Sequence, residues 1–167
     1  MSAPSNDAGF NDNGEVTRPG ISAEFLRRNH IRHVDEFEAQ TLIGYKQPGI
    51  IIPYPDLNGP KLMVNGRHFC RLRLDQPTSS AKYLSPRGAG AQLYVPSGPP
   101  FGKILTLAEG EFKSLSLNEA EVRTVGIGGI QSALPDGELL PALDKLLKKY
   151  DPHTLFFLGD ADTCLYF

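Results

Sequence analysis

The order of apolar and polar positions divides the chain into three stretches of different texture. The first twenty residues, MSAPSNDAGFNDNGEVTRPG, hold Gly, Asn, Asp, Ser and Pro with little to bury, and they predict a disordered lead-in. Helical spacing starts after Ser22, a fitting N-cap, with Phe25, Leu26 and Ile31 as the apolar positions. A second short helix is expected from Asp35, where Glu38 completes a capping-box pattern and Gly44 makes a stop. The spacing then turns to that of strands. Gly49-Ile50-Ile51-Ile52-Pro53-Tyr54 is a β-type run, and Leu57-Asn58-Gly59 and Asn65-Gly66 are hairpin-turn signals. With 61–64 and 67–74 they predict three short antiparallel strands. Residues 75–103, rich in Pro, Gly and Ser, predict an irregular connection. It contains Lys82-Tyr83-Leu84, Leu93-Tyr94-Val95-Pro96 and one more short strand.

The last third alternates strand and helix. Strands are expected at 104–108, 122–127 and 154–158, the second ending in Gly126-Ile127-Gly128-Gly129. A helix is expected over 111–120, with Phe112, Leu115 and Leu117 as packing positions. Another is expected over 138–150, where Leu139, Leu140, Leu143, Leu146 and Leu147 form an amphipathic stripe. A βαβαβ order with short joins means parallel strands. The expected fold is therefore α/β: a lead-in over 1–20, a small helical and antiparallel β-hairpin region over 21–100, and a parallel core over 101–167.

Bulk composition narrows the function classes. Lys+Arg is 17 and Asp+Glu is 19, a net charge of -2, so the chain is not a general polyanion binder. A nucleic-acid partner would need a local basic patch or a metal. The two cysteines, Cys70 and Cys164, lack zinc-ligand spacing and read as buried thiols of a reducing compartment rather than a disulfide. No apolar run is long enough to span a membrane, and no signal peptide is visible at the N-terminus. A cytoplasmic protein without a membrane partner is expected.

In a parallel sheet the C-terminal strand ends share one edge, where ligands bind. The first predicted strand of the core ends at Glu109-Gly110-Glu111 and the third at Asp160-Ala161-Asp162. If these strands are neighbours, the carboxylates converge on one rim, and such oxygen-rich clusters suit Mg²⁺ or Mn²⁺. The competing reading is that Glu109 and Glu111 only stabilise the N-terminal end of a helix. Glu111 fits that role better than a ligand's. Lys113, one turn into that helix, is a candidate phosphate contact or an ordinary surface lysine. Arg67, His68, Arg71, Arg73, Lys82 and Arg87 form the one basic concentration. Arg67, Arg71 and Arg73 would share a strand face and, with Phe69 and Tyr83, hold single-stranded nucleic acid by charge and stacking. The alternative is a half-solvated sheet face.

The Glu109-Gly110 pair and the Asp160-x-Asp162 pair, with a Gly-containing turn between them, resemble the TOPRIM domain of bacterial primases, topoisomerases and some nucleases. The string Leu105-Thr106-Leu107-Ala108-Glu109-Gly110-Glu111-Phe112-Lys113-Ser114-Leu115 is further similar to the TEGEKKAL segment of a primase-associated family, domain of unknown function 3854. Members occur in phage- and plasmid-borne replication proteins. Gly49–Tyr54, Arg71-Leu72-Arg73-Leu74-Asp75 and Lys82-Tyr83-Leu84 extend the resemblance over about residues 20–167. Thr106-Leu107-Ala108 departs from the family's Thr-Glu-Gly lead, and Leu158 stands where relatives carry a further aspartate. The core stops soon after its third strand, so a truncated TOPRIM domain is expected.

The resemblance implies Glu109 as general base or metal-facing acid and Asp160 and Asp162 as ligands of Mg²⁺ (or Mn²⁺). Arg71, Arg73, Lys82 and Lys113 are the candidate nucleic-acid contacts. It implies a primase or primase-associated module acting by phosphoryl transfer on a single-stranded DNA template, with a helicase-type ATPase as possible companion in the same or another chain. A non-catalytic nucleic-acid-binding or docking module and a metal-dependent nuclease are the alternatives. No Walker A sequence, zinc-binding primase module or polymerase-like second domain is visible.

Overall fold

The computed structural model describes residues 8–11, 14–79 and 81–160. Its elements group into two units: Met1–Pro53 with Met63–Gly88, and Tyr54–Leu62 with Ala89–Phe167.

The first unit opens on a hairpin of β1 (Gly9–Phe10) and β2 (Val16–Thr17), then α1 (Ala23–Arg28), β3 (Arg32–Val34) and α2 (Glu36–Ile43). The hairpin corrects the expected lead-in. Ala8 and Val16 are buried, and the Arg73 guanidinium donates to the Ala8 carbonyl at 2.8 Å, which fixes the segment. Residues 1–7, 12 and 13 lie outside the described residues. The two expected helices form where their caps stand. Ser22 Oγ accepts the Phe25 N–H, Asp35 accepts those of Phe37 and Glu38, and Gly44 closes α2 in the left-handed conformation at φ 83°. The Glu38 carboxylate binds the Arg32 guanidinium, so the box closes on one side through Asp35. α1 ends at Arg28, and Ile31 is buried in the link beyond it.

Next come β4 (Gly49–Pro53), β5 (Met63–Val64), β6 (Arg67–His68), β7 (Cys70–Leu74) and β8 (Tyr83–Leu84). An antiparallel sheet runs in the order β3-β4-β7-β8, and β5 with β6 forms a separate hairpin. Its turn is Asn65-Gly66, both at positive φ, as two-residue hairpin turns require. On β7, Cys70, Leu72 and Leu74 face a core of Val34, Ala39, Ile43 and Ile51. Cys70 is buried, and Cys164 lies outside the described residues.

The second unit carries β9 (Ile104–Glu109), α3 (Glu111–Glu119), β10 (Thr124–Ile127), α4 (Pro141–Tyr150) and β11 (Thr154–Leu158). The three strands are parallel in the order β10-β9-β11. One sheet face, Leu105, Leu107, Val125 and Ile127, packs against Leu140, Leu143 and Leu146 of α4 and its approach. Burial of each such leucine stabilises by about 1.5–3 kcal/mol relative to exposure. The opposite face takes α3. There the buried Asn118 amide donates to the Ser114 and Thr124 carbonyls at 2.6 and 2.7 Å. A Cβ on Gly126 would stand 2.9 Å from Ser114 Oγ, so glycine lets helix and strand approach.

The unit begins earlier than the expected boundary near residue 100. Leu93 and Val95 join the α4-side core, and Tyr94 exchanges both backbone bonds with Gly126 at 2.8 and 2.9 Å. The Tyr94 segment thus adds an antiparallel bridge beyond β10. The last helix also starts later than its leucine stripe predicts. Pro141 takes the first turn, where its missing N–H costs nothing, and Glu138 is extended. β10 likewise starts at Thr124, because Glu121 turns at φ 61° and Val122 is exposed. Among the described residues β11 is the outer strand of this sheet, and all five of its residues are exposed, Leu155, Phe156, Phe157 and Leu158 among them.

Candidate carboxylate rim

The register of the parallel sheet brings the predicted acids together. β9 lies between β10 and β11, with Leu158 paired to Ala108 and Ile127 to Glu109. The residues just past these positions therefore share the C-terminal edge. Gly110 makes the turn into α3 at φ 96°, a conformation that favours glycine, and its N–H donates to the Ile127 carbonyl at 2.8 Å. This ties the first strand's exit to the second.

Glu109 is half-buried, and its Oε2 accepts the Asp160 N–H at 3.1 Å. A Cβ on Gly129 would lie 3.6 Å from Glu109 Oε1, so the glycine turn after β10 runs beside the same carboxylate. All three strand ends thus meet at Glu109. Gly110 is the N-cap of α3, and no side chain makes a capping hydrogen bond there.

Lys113 projects from the first turn of α3 onto the rim. Its Nζ pairs with Asp160 Oδ1 and donates to the Gly159 carbonyl at 3.3 Å. Asp160 is exposed and Lys113 partly so. Asp162 lies outside the described residues.

Glu111 is not a rim residue. It is 2% exposed, and its Oε1 accepts the Tyr54 hydroxyl at 2.6 Å. Tyr54 packs against Tyr94 with ring centroids 4.8 Å apart. The Tyr94 hydroxyl is buried with no hydrogen-bond partner among the described residues. Burial first, and the Glu111 charge second, push its pKa well above the ordinary tyrosine range. Tyr54, Tyr94 and Asn118 brace the rim's supporting turn and helix, yet nothing in the local spacing of the sequence marks them. Tyr54 does fall at the end of the 49–54 run, a signal for a strand rather than for a partner of Glu111.

Metal-binding capacity follows from the donor chemistry. Among the described residues no group of three or more His, Cys, Asp or Glu side chains could hold a metal ion. The rim offers two hard carboxylates, Glu109 and Asp160. Mg²⁺ is commonly bound by one or two carboxylates together with water and substrate phosphate. The Lys113 ammonium on Asp160 and the Gly159 carbonyl is a stand-in cation for that position. By donor type, Glu109 and Asp160 are the hard oxygen ligands that such an ion takes.

The basic candidates of the first unit do not form the expected common face. Arg67 is on β6, apart from Arg71 and Arg73 on β7. Arg73 is 5% exposed and holds the Ala8 carbonyl. Arg71 stacks over the Tyr83 ring at 4.8 Å. Phe69 is 2% exposed and has no face to offer a base, because it packs inside. Lys82 is exposed.

The fold is that of a mixed α/β protein with a three-stranded parallel sheet, short helices and antiparallel hairpins. No family model and no curated protein matches the chain. Among solved structures it is similar to the zinc binding and RNA polymerase domains of the Aquifex aeolicus primase, with a TM-score of 0.54 and 18% identity. The match covers 84% of this chain and 40% of that one, so the chain spans less than half of the primase fragment. At this identity the likeness establishes the fold. No helix among the described residues is long and apolar enough to cross a membrane.

Proposed function

We propose that this chain is the primase or primase-associated module of a mobile-element replication protein, acting by divalent-metal-dependent phosphoryl transfer on nucleic acid. It would belong to the primase-associated family that its Glu109-Gly110-Glu111 segment resembles. The observation that carries the reading is the meeting of Glu109 and Asp160 at one edge of the parallel sheet. The primase likeness of the fold supports it.

In this reading Glu109, Asp160 and Asp162 would hold Mg²⁺ or Mn²⁺, and the chemistry supplied there would be the offsetting of phosphate charge. Glu109, half-buried, takes the proton of the attacking hydroxyl at a carboxylate oxygen as that hydroxyl bonds to phosphorus and the leaving phosphate oxygen departs. The Gly110 and Gly129 turns keep bulk away from Glu109 where a phosphate would approach. Single-stranded DNA is the proposed template, and a helicase-type ATPase the proposed companion.

Calorimetric titration with Mn²⁺ and Mg²⁺, on the chain and on Asp160→Asn/Asp162→Asn, tests the reading. Binding that is present in the first and lost in the second supports it; equal binding in both removes it. Primer synthesis that needs nucleoside triphosphates separates a primase from a nuclease, which needs none. A docking module is the second reading, favoured by the ammonium already seated on Asp160. It predicts DNA binding that survives EDTA.

A further inference from the structure

We propose that Lys113 is the resident counter-cation of the carboxylate rim, and that a divalent ion binds by displacing its ammonium from Asp160. The inference rests on the metal-binding reading above and adds to it a competitor supplied by the chain itself.

The contacts define the competition. Lys113 Nζ pairs with Asp160 Oδ1 and with the Gly159 carbonyl, two oxygens from one strand end. The Asp160 N–H is held by Glu109 Oε2, so the ammonium sits on the residue that links the two acids. A hard divalent ion needs the same Asp160 carboxylate. An ion and an ammonium on one carboxylate would stand a few ångströms apart and repel. Entry of the ion therefore requires Nζ to leave.

The lysine is built to do so. Its ammonium is a point charge on a flexible four-carbon stem with three rotatable donors. Its Cα is fixed in the first turn of α3, between the buried Phe112 and Ser114, so only the side chain has to move. Lys113 and Asp160 are both partly solvated, which keeps the pair weak enough to exchange. Once released, the ammonium remains beside the rim, where a phosphate oxygen brought in with the ion would accept its hydrogen bond. The lysine would thus offset the charge of one rim carboxylate, Asp160, while no metal is bound, and change partners when metal and phosphate arrive together.

The test is calorimetry with Mn²⁺ alone, then with Mn²⁺ plus inorganic pyrophosphate, on the wild-type chain, Lys113→Met and Lys103→Met. Lys103 precedes β9, at the far end of a six-residue strand, about 20 Å from the rim and beyond the Debye length. Lys113→Met should bind Mn²⁺ about fivefold more tightly than wild type, the factor expected for an exposed ion pair. Lys103→Met should stay within about twofold. Pyrophosphate should strengthen Mn²⁺ binding more in wild type than in Lys113→Met. If Lys113→Met fails to fold, Lys113→Gln serves with the same expectation.

Wild-type binding that Lys113→Met leaves equal or weakens overturns the displacement and spares the metal site. Equal tightening in Lys103→Met also overturns it, because the effect would be one of overall charge. No binding in wild type or either Lys113 variant overturns both readings. Binding that appears only when Lys113 is removed supports both.

Discussion

The backbone N–H of Asp160 donates to Oε2 of Glu109 across 3.1 Å, tying the end of β11 to the end of β9. The bond makes two carboxylate-bearing positions, 51 residues apart, parts of one rim. It also makes charge and structure separable at Glu109. In Glu109→Gln the amide oxygen can still accept the Asp160 N–H, while the negative charge is gone. Loss of even an outer partner of a metal ligand costs about 10–100-fold in affinity. Glu109→Gln should therefore weaken Mn²⁺ binding at least about tenfold in calorimetry. Its urea stability should stay within about 0.5 kcal/mol of wild type. Tight binding in the variant would remove Glu109 from the site.

The Tyr54 hydroxyl and the Glu111 carboxylate form a buried pair whose value lies in the support of α3. Tyr54→Phe removes the donor and leaves a carboxylate that is 2% exposed with one hydrogen bond fewer. The expected cost is about 1–3 kcal/mol in urea unfolding. Glu111→Gln should cost less, because the amide oxygen still accepts the phenol. A larger loss in Glu111→Gln than in Tyr54→Phe would contradict this account.

Much of the parallel core is legible in the sequence because it depends on local signals. The Leu105–Ala108 run, the leucine stripe of α4 and the glycines at strand ends each state their element within a few residues. The rim follows, since a parallel sheet puts all its C-terminal ends on one edge. What local pattern does not carry is the partner of a side chain. The alternation Arg71-Leu72-Arg73 correctly sets Leu72 toward the core, but it is silent on Ala8, which takes up Arg73. Arg67 is drawn onto that face by spacing alone, whereas the buried Phe69 separates β6 from β7. Gly-, Asn- and Asp-rich composition likewise hides Val16 and Ile21, whose burial orders the β1–β2 segment. Lys113 reads as a surface or phosphate-facing lysine, and its bond to Asp160 spans 47 residues.

Arg123 gives a stability prediction with a defined pH window. Its guanidinium lies 3.8 Å from the Phe101 ring centroid and donates to the Pro96 carbonyl and Asn118 Oδ1 at 2.9 and 3.0 Å. Burial lowers its pKa from the ordinary arginine range to about 10, against an opposing effect of Tyr150. Below that folded value the group is protonated in both folded and unfolded states, so it adds no pH slope. Above about pH 10, up to the ordinary arginine range, the unfolded chain binds the extra proton, and the contribution to stability rises with pH. Arg123→Met should cost about 1–2 kcal/mol, mainly by leaving the Pro96 carbonyl without its donor. The difference from wild type should be constant between about pH 6 and 9 in urea titrations. A difference that drifts across that window would show that Arg123 titrates there.

Arg71 and Arg73 are two positions apart on β7, yet their substitutions should fail in different assays. Arg73 is buried, and its charge-assisted bond to the Ala8 carbonyl anchors the β1 segment. Arg73→Met should therefore destabilise the first unit by about 1.5–3 kcal/mol, the range for a hydrogen bond made by a charged group. Arg71 is less buried and lies over Tyr83, so Arg71→Ala should cost under about 1 kcal/mol. If this strand face meets single-stranded DNA, Arg71 is the residue placed to reach it. Arg71→Ala should then weaken binding of a labelled oligonucleotide in fluorescence anisotropy and lower the salt slope by about one charge. Arg73→Met, measured where it remains folded, should leave that slope unchanged. A lost slope in Arg73→Met with intact stability would reverse the assignment and make Arg73 the contact.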